Sequence, residues 1–315
     1  MSGLTRPAEW PALSYVDWAA AQKTLQLYTQ IAGKVRLALE RPRPQWVGSS
    51  LLLTAHGLTT STMPYGTMSV EIVFDFYDDS ISILTSERGT RSIALAPARC
   101  VADVYAELMR GLKELGIQVE IWTKPQEVED TTPLDQNRHD CTYEADKVRN
   151  FFRVLTAVAG VFDEWHARFF GRTSVQFWWG SFDLSLLAFN GKPAVPPPGV
   201  NYIMRYDLDA EHMAAGFWPG GEASPDPILY AYIVPQPPGC SAASIQPESA
   251  AWSEEMGEWV LPYESVRRSA NPRLEILRFL NSVYELAGSL GGWDLKSYEY
   301  SPPPVEERLR SAIGR

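Results

Sequence analysis

Cysteine is scarce in this 315-residue chain: Cys100, Cys141 and Cys240 stand far apart, are odd in number and form no CxxC pair. That spacing signals neither a disulfide framework nor a zinc knuckle, and three reduced thiols predict a reducing compartment. Histidine is nearly as thin, with His56, His139, His166 and His212 and no HxH or HExxH pair, so a three-histidine metal centre is not expected. The net charge is −10 and no run of Lys or Arg could track a phosphate backbone, which argues against a nucleic-acid partner. No apolar run approaches the ~18 residues of a membrane span, and residues 1–10 lack the apolar core of a signal peptide. Together these absences predict a soluble, cytoplasmic, bacterial-type protein with no membrane partner.

Aromatic residues, by contrast, are plentiful: 11 Trp and 12% aromatics overall, enough for a thick core or a ligand pocket. Apolar positions at helical spacing run through residues 14–40, with Ser14 as a candidate N-cap, until Arg41-Pro42-Arg43-Pro44 stops them. Residues 51–54 suggest a strand. Val70, Ile72, Phe74 and Phe76 alternate on one face, and Asp78-Asp79-Ser80 turns them into a second strand over 81–85, with a third over 91–95. A helix is expected from Pro97 to Gly116, then a strand over 117–122, then a polar, turn-rich linker.

The second half repeats this order. A long helical pattern covers 143–170, an alternating region 174–189, strands 202–208 and 228–234, and a helix runs from Pro272 to Gly291. Thr29-Gln30-Ile31-Ala32-Gly33 echoes Thr156-Ala157-Val158-Ala159-Gly160, and Pro97 to Gly116 has the same spacing as Pro272 to Gly291. The fold class is therefore α+β: two similar halves, each with antiparallel strands flanked by long helices, as an internal duplication would give. The divisions are 1–123 for the first half, 124–141 for the linker, 142–300 for the second half and 301–315 for a C-terminal tail.

Chemistry concentrates within 174–221. Trp178 and Trp179 are adjacent, so on a strand they face opposite ways and one of them leaves the core. Ser181, Asp183 and Ser185 share a face on the same reading. Ser181 sits in Trp179-Gly180-Ser181-Phe182-Asp183, which lacks the second glycine and following helix of a nucleophile elbow. Gly216 with Gly220 and Gly221 resembles a phosphate loop, but Pro219 and the lack of a following helix oppose that reading. Asp207, Asp209 and Glu211 alternate, as metal ligands or an ordinary solvated strand face would, and His212 adds an imidazole suited to proton transfer near neutral pH. His56 could enter the same pocket if the halves face each other; a strand-end polar residue is the plainer account.

Trp10-Pro11-Ala12-Leu13, residues 30–39, Gly57-Leu58-Thr59-Thr60, residues 177–184, Gly216-Phe217-Trp218-Pro219-Gly220-Gly221 and Leu261-Pro262-Tyr263 resemble a bacterial family designated domain of unknown function 5996. That resemblance covers nearly the whole chain and implies one full-length unit; it implies no activity, cofactor or partner. The residues themselves lead to three readings. The first is small-organic-ligand binding against Trp178, Trp179, Ser181, Trp218 and His56. The second is a cofactor-independent or metal-assisted enzyme, with His212 as acid/base and Asp183 or Glu211 as partner. The third is a structural or interaction protein. Cofactor and oligomeric state are left open, and no metal ligand set is assigned.

Overall fold

The computed structural model describes residues 10–200, 202–222 and 224–300; the expected tail at 301–315 lies outside them. The first helix, α1 (Ala19–Leu39), begins after a 3-10 turn at Tyr15–Asp17, so Ser14 does not cap it. Both faces of α1 are enclosed over much of its length: Leu25, Tyr28, Ile31, Ala32 and Val35 are buried, and so are Gln30, Lys34 and Arg36. A second 3-10 segment, Pro44–Ser49, leads into β1 (Ser50–Leu53). There follow β2 (Gly57–Thr59), β3 (Met63–Tyr65), β4 (Met68–Asp75), β5 (Ser80–Thr85), β6 (Gly89–Ala94) and α2 (Val101–Glu114). Val70, Ile72, Phe74 and Phe76 are buried as their alternation requires. Residues 117–122 form no strand, and Pro97 precedes α2 without joining it.

After a stretch without regular structure come α3 (Ala145–His166), β7 (Gln176–Trp178), β8 (Asp183–Pro193), α4 (Tyr202–Asp207), β9 (Ala210–Trp218) and β10 (Ile228–Val234). The described chain continues through β11 (Ala251–Ser253), β12 (Glu258–Pro262), α5 (Tyr263–Arg268), α6 (Pro272–Ser289) and α7 (Leu295–Tyr298). The strand expected over 202–208 is thus a short helix, and the 174–189 region is a hairpin instead of one strand. Phe182 turns that hairpin with φ +62°, in the left-handed region.

All described strands join one antiparallel sheet in the order β11-β12-β10-β9-β8-β7-β1-β2-β4-β5-β6, with β3 on β4. The architecture is mixed helix and antiparallel sheet, and a single sheet runs through both halves. They meet where β1 pairs with β7, Ser50 opposite Trp178 and Leu51 opposite Phe177. Leu184, Leu186, Met213, Ala215, Phe217, Leu229, Ala231 and Ile233 are buried, and α3 and α6 pack on the strands that carry them. Phe151 of α3 meets Phe177 edge-on and stacks on Phe182. The opposite face of β8–β10 is where Asp183, Ser185, Tyr230 and Tyr232 point, since cross-strand partners share a side.

The expectation of three free thiols is corrected: Cys100 and Cys141 form a disulfide, and only Cys240 is free, and buried. Their 41-residue separation hid the pairing. Backbone hydrogen bonds from Val101 to Asp140 and from Ala102 to Asn137 bring the start of α2 against the end of the polar segment. The inference from reduced thiols to a reducing compartment therefore fails. No described helix is long and apolar enough to cross a membrane. Denatured protein without reductant should titrate one thiol, its mass two protons below that of the reduced chain; three thiols would show that the bridge does not form. Closing a loop of this length contributes about 4 kcal/mol in the chain-entropy treatment.

Candidate functional site

A cavity of about 210 Å³ lies against the polar face of β7–β10. Its floor is Trp178 of β7, Asp183, Ser185 and Leu187 of β8, and Tyr230 and Tyr232 of β10. Its walls are Trp46 and Ser49 from the 3-10 segment, Leu37 of α1, Gln126 and Glu127, the hairpin turn Trp179-Gly180-Ser181, and Asp207 at the end of α4.

Two glycines shape its lining. A Cβ on Gly216 of β9 would fall 2.3 Å from the Tyr230 ring, so only glycine lets that ring lie across the strand. The Tyr230 hydroxyl consequently reaches over β9 and donates to Asp183 Oδ2, while Ser181 Oγ donates to Oδ1. A Cβ on Gly180 would meet Glu127 Oε2 at 1.9 Å, so its absence admits that carboxylate over the turn. Glu127 itself has φ +56°. Its segment is held to α1: Gln30 Nε2 donates to the Gln126 carbonyl at 2.7 Å, the Gln126 N–H returns a bond at 2.9 Å, and Lys34 Nζ donates to the Lys124 carbonyl at 2.9 Å. The segment read from sequence as a linker is thus packed, and it supplies a wall.

The electrostatics are one-sided. Burial raises Asp183, only partly offset by the Ser181 and Tyr230 hydrogen bonds. Glu127 is pushed up to about 6 by the surrounding protein and then by Asp183 and Asp207. The Glu127 side chain is nonetheless exposed, so solvent screens much of that repulsion. Asp207 rises to about 6 through burial, Asp183 and Asp209, and Glu258, on β12 beside the site, to about 7 through burial and Asp183. Tyr230 and Tyr232 are raised well above the ordinary phenol value, first by burial. Among the described residues lining the cavity, none is Lys or Arg.

These shifts carry a sign. A carboxyl raised in the folded state binds its proton more tightly there than in the unfolded chain. It therefore costs stability as pH rises from about 4 through its folded value, and the cost stays constant above. Buried His166, lowered to about 4 by burial, acts in the opposite sense below about 6.5, so a comparison of variants isolates one group. Glu258→Gln should gain on the wild type between pH 5 and 8 by on the order of 1–2 kcal/mol after screening at its half-buried side chain. Urea melts of both proteins at the two pH values measure the gap; an unchanged gap contradicts the assignment.

Of the residues singled out from sequence, the structure brings Trp178, Trp179, Ser181 and Asp183 to one cavity. Trp178 Nε1 donates to Ser185 Oγ at 2.6 Å. Trp179 is buried, its indole against Gly33 of α1 and Lys34 Nζ 5.7 Å from its ring centroid. Trp218 lines a neighbouring cavity with Tyr15, Gln22 and Gly221, which shares Glu127 and Ser181 with the first. His212 is fully buried and does not line the cavity: Nδ1 faces the Ala210 carbonyl at 2.8 Å, and the ring packs between Phe189 and Tyr232. Its Nε2 has no partner among the described residues. Glu211 accepts from Asn190 instead, and Asp183 is engaged by Ser181 and Tyr230, so the expected pairing of His212 with either carboxylate is not formed. His56 is exposed and bound to Asp75 at 3.1 Å in the first half.

Sequence reading missed Trp46, Gln126, Glu127, Tyr230 and Tyr232. The two tyrosines had a signal: Tyr230-Ala231-Tyr232 puts two polar-tipped rings on one face of a strand. Glu127 had none. Asp130, His139 and Asp140 are the only described group with three possible metal-ligand atoms within 4.8 Å of one another. That cluster is already served by Lys23, 3.3 Å from Asp140 and 3.8 Å from Asp130. The Asp207, Asp209, Glu211 and His212 alternation makes no such group among the described residues; Asp207 ends a helix and the others lie beyond it.

Fold and site together define an α+β protein with an aromatic and acidic cavity on one half of a continuous antiparallel sheet. The chain belongs to the family of unknown function DUF5996, whose model matches residues 10–300. Neither the curated proteins nor the solved structures contain a match to it.

Proposed function

We propose that this protein binds a small organic molecule in the cavity between Trp46, Trp178 and Tyr230. The observation that supports this most is the lining itself: three tryptophans and two tyrosines stand around one cavity with Glu127, Asp183 and Asp207, and with no Lys or Arg among the described lining residues. A fold gains nothing in stability from such an arrangement, whereas a concave site with rigid rings and a few polar groups suits ligand capture. Acid/base use of His212 finds no support in its position. Titration of a metabolite library, followed by tryptophan fluorescence and melting temperature, tests the reading. Hits should be lost in Trp178→Ala and kept in Trp122→Ala, whose indole is exposed away from the cavity. Hits indifferent to Trp178 would reject it.

We also infer that the halves arose by duplication. Apart from the short α4 and α5 of the second, each runs helix, six strands, helix, and the strands nearest the β1–β7 pair follow outward as β1-β2-β4-β5 and β7-β8-β9-β10. A two-fold between β1 and β7 relates such orders, and the first half, without an equivalent of Asp183 or Tyr230, would then be the scaffold copy. Superposing 19–114 on 145–289 with α2 and α6 failing to coincide would overturn this.

A further inference from the structure

Resting on that reading of the cavity, we propose that its ligand is an organic cation, an ammonium or guanidinium compound of small size, held by Glu127, Asp183 and Asp207 against the faces of Trp178 and Tyr230. Charge and geometry both lead here. Three carboxylates line one cavity, and its described lining holds no Lys or Arg to balance them. Lys34, the buried amine nearby, donates to the Lys124 carbonyl and packs against Trp122 and Trp179 without lining the cavity. An anionic ligand would add to the repulsion, and a neutral one would leave it in place. A cation removes it.

The carboxylates are also too widely set for a metal ion. Hard cations need several oxygens within about 2.6 Å of one centre, and Glu127, Asp183 and Asp207 do not form a group with ligand atoms within 4.8 Å of one another. They border a larger space instead, as charges around a polyatomic ion do. Aromatic rings supply the rest: a desolvated cation over a tryptophan or tyrosine face is stabilised by roughly 0.5–2 kcal/mol per ring. The cavity volume, about 210 Å³, has room for a compact organic molecule.

The experiment uses the full chain at pH 8 and fixed salt, and two pairs of probes matched in shape. One pair is choline and its uncharged carbon analogue 3,3-dimethyl-1-butanol; the other is n-butylguanidinium and n-butylurea. Calorimetric titration should find at least one cation binding about tenfold tighter than its neutral twin. That preference should shrink at pH 5, where Glu127 and Asp207 gain protons, and in Asp207→Asn and Glu127→Gln, with melting curves confirming that both variants fold. Equal binding of both twins would overturn the charge assignment while leaving a binding cavity in place. So would tighter binding of butyrate. No binding by any cation overturns the proposal too, and the library titration then decides separately whether the cavity binds anything.

Discussion

Arg36→Met should lower the free energy of unfolding by about 3–5 kcal/mol, the largest single loss we expect in this chain. The guanidinium is 3% exposed and serves two residues, Ser50 and Glu40, at the join between the halves. Its Nη1 donates to the Ser50 carbonyl at 2.6 Å on β1, and its Nε stands 3.1 Å from Glu40 Oε1, a carboxylate also 3% exposed. Ser50 Oγ in turn donates to Gln176 on β7. Methionine fills the volume but leaves Glu40 charged in the interior. Arg43, 3.7 Å away with a half-exposed side chain, is poorly placed to substitute. Adding Glu40→Leu to Arg36→Met removes the orphaned charge and should recover much of the loss. Urea melts of both single variants and the double variant measure this. A strictly additive double variant would show that Arg36 acts through packing alone.

Elements with a strong period were legible in the sequence. The β4–β5 hairpin, β6, α3 and α6 lie close to where alternation or helical spacing placed them, because half-buried strands and amphipathic helices write their burial into residue order. Where the pattern was misread, a local feature without a period had taken over. The turn of the β7–β8 hairpin is Trp179-Gly180-Ser181-Phe182, with positive φ at a phenylalanine instead of an Asn-Gly pair, so nothing marked a reversal. Alternating acids at 207–211 read as a strand, yet the first of them, Asp207, ends α4.

The site was half legible for a related reason. Tryptophans beside a glycine and a lone carboxylate pointed to 174–191, since buried polar groups in aromatic surroundings need a cleft or a partner. His212 drew attention on chemistry alone, and its place on β9 puts it under Phe189 and Tyr232, out of the cavity. Glu127 was invisible because tertiary hydrogen bonds from Gln30 and Lys34 position its segment across roughly ninety residues of sequence. Gly216 was weighed as part of a phosphate loop and Gly180 as part of a nucleophile elbow. Their role is spatial: each leaves room for the polar end of a side chain that is distant in sequence.

Gly216→Ala should therefore damage the site more than its size suggests. Glycine inside a strand normally weakens it, and on backbone preference alone alanine would stabilise by about 0.5–1 kcal/mol. Here the new methyl would stand 2.3 Å from the Tyr230 Cζ and hydroxyl oxygen, and Ala231 and Leu229 on either side of Tyr230 are fully buried, so β10 has little freedom to retreat. The ring must swing away, at an overpacking cost of about 1–3 kcal/mol. In doing so it withdraws the hydroxyl from Asp183, leaving a carboxylate that is 5% exposed with Ser181 as its remaining side-chain donor. Losing a hydrogen bond to a charged buried group adds about 1.5–3 kcal/mol. We expect a net loss near 3 kcal/mol and weaker ligand binding. Tyr230→Leu alone should lose the same hydrogen bond without the clash. In the double variant most of the Gly216→Ala penalty should vanish, giving a coupling of about 1–3 kcal/mol between the two positions. Melts of the four proteins decide it: a double variant as unstable as the sum of the singles would mean that Gly216 is needed by the strand and not by Tyr230.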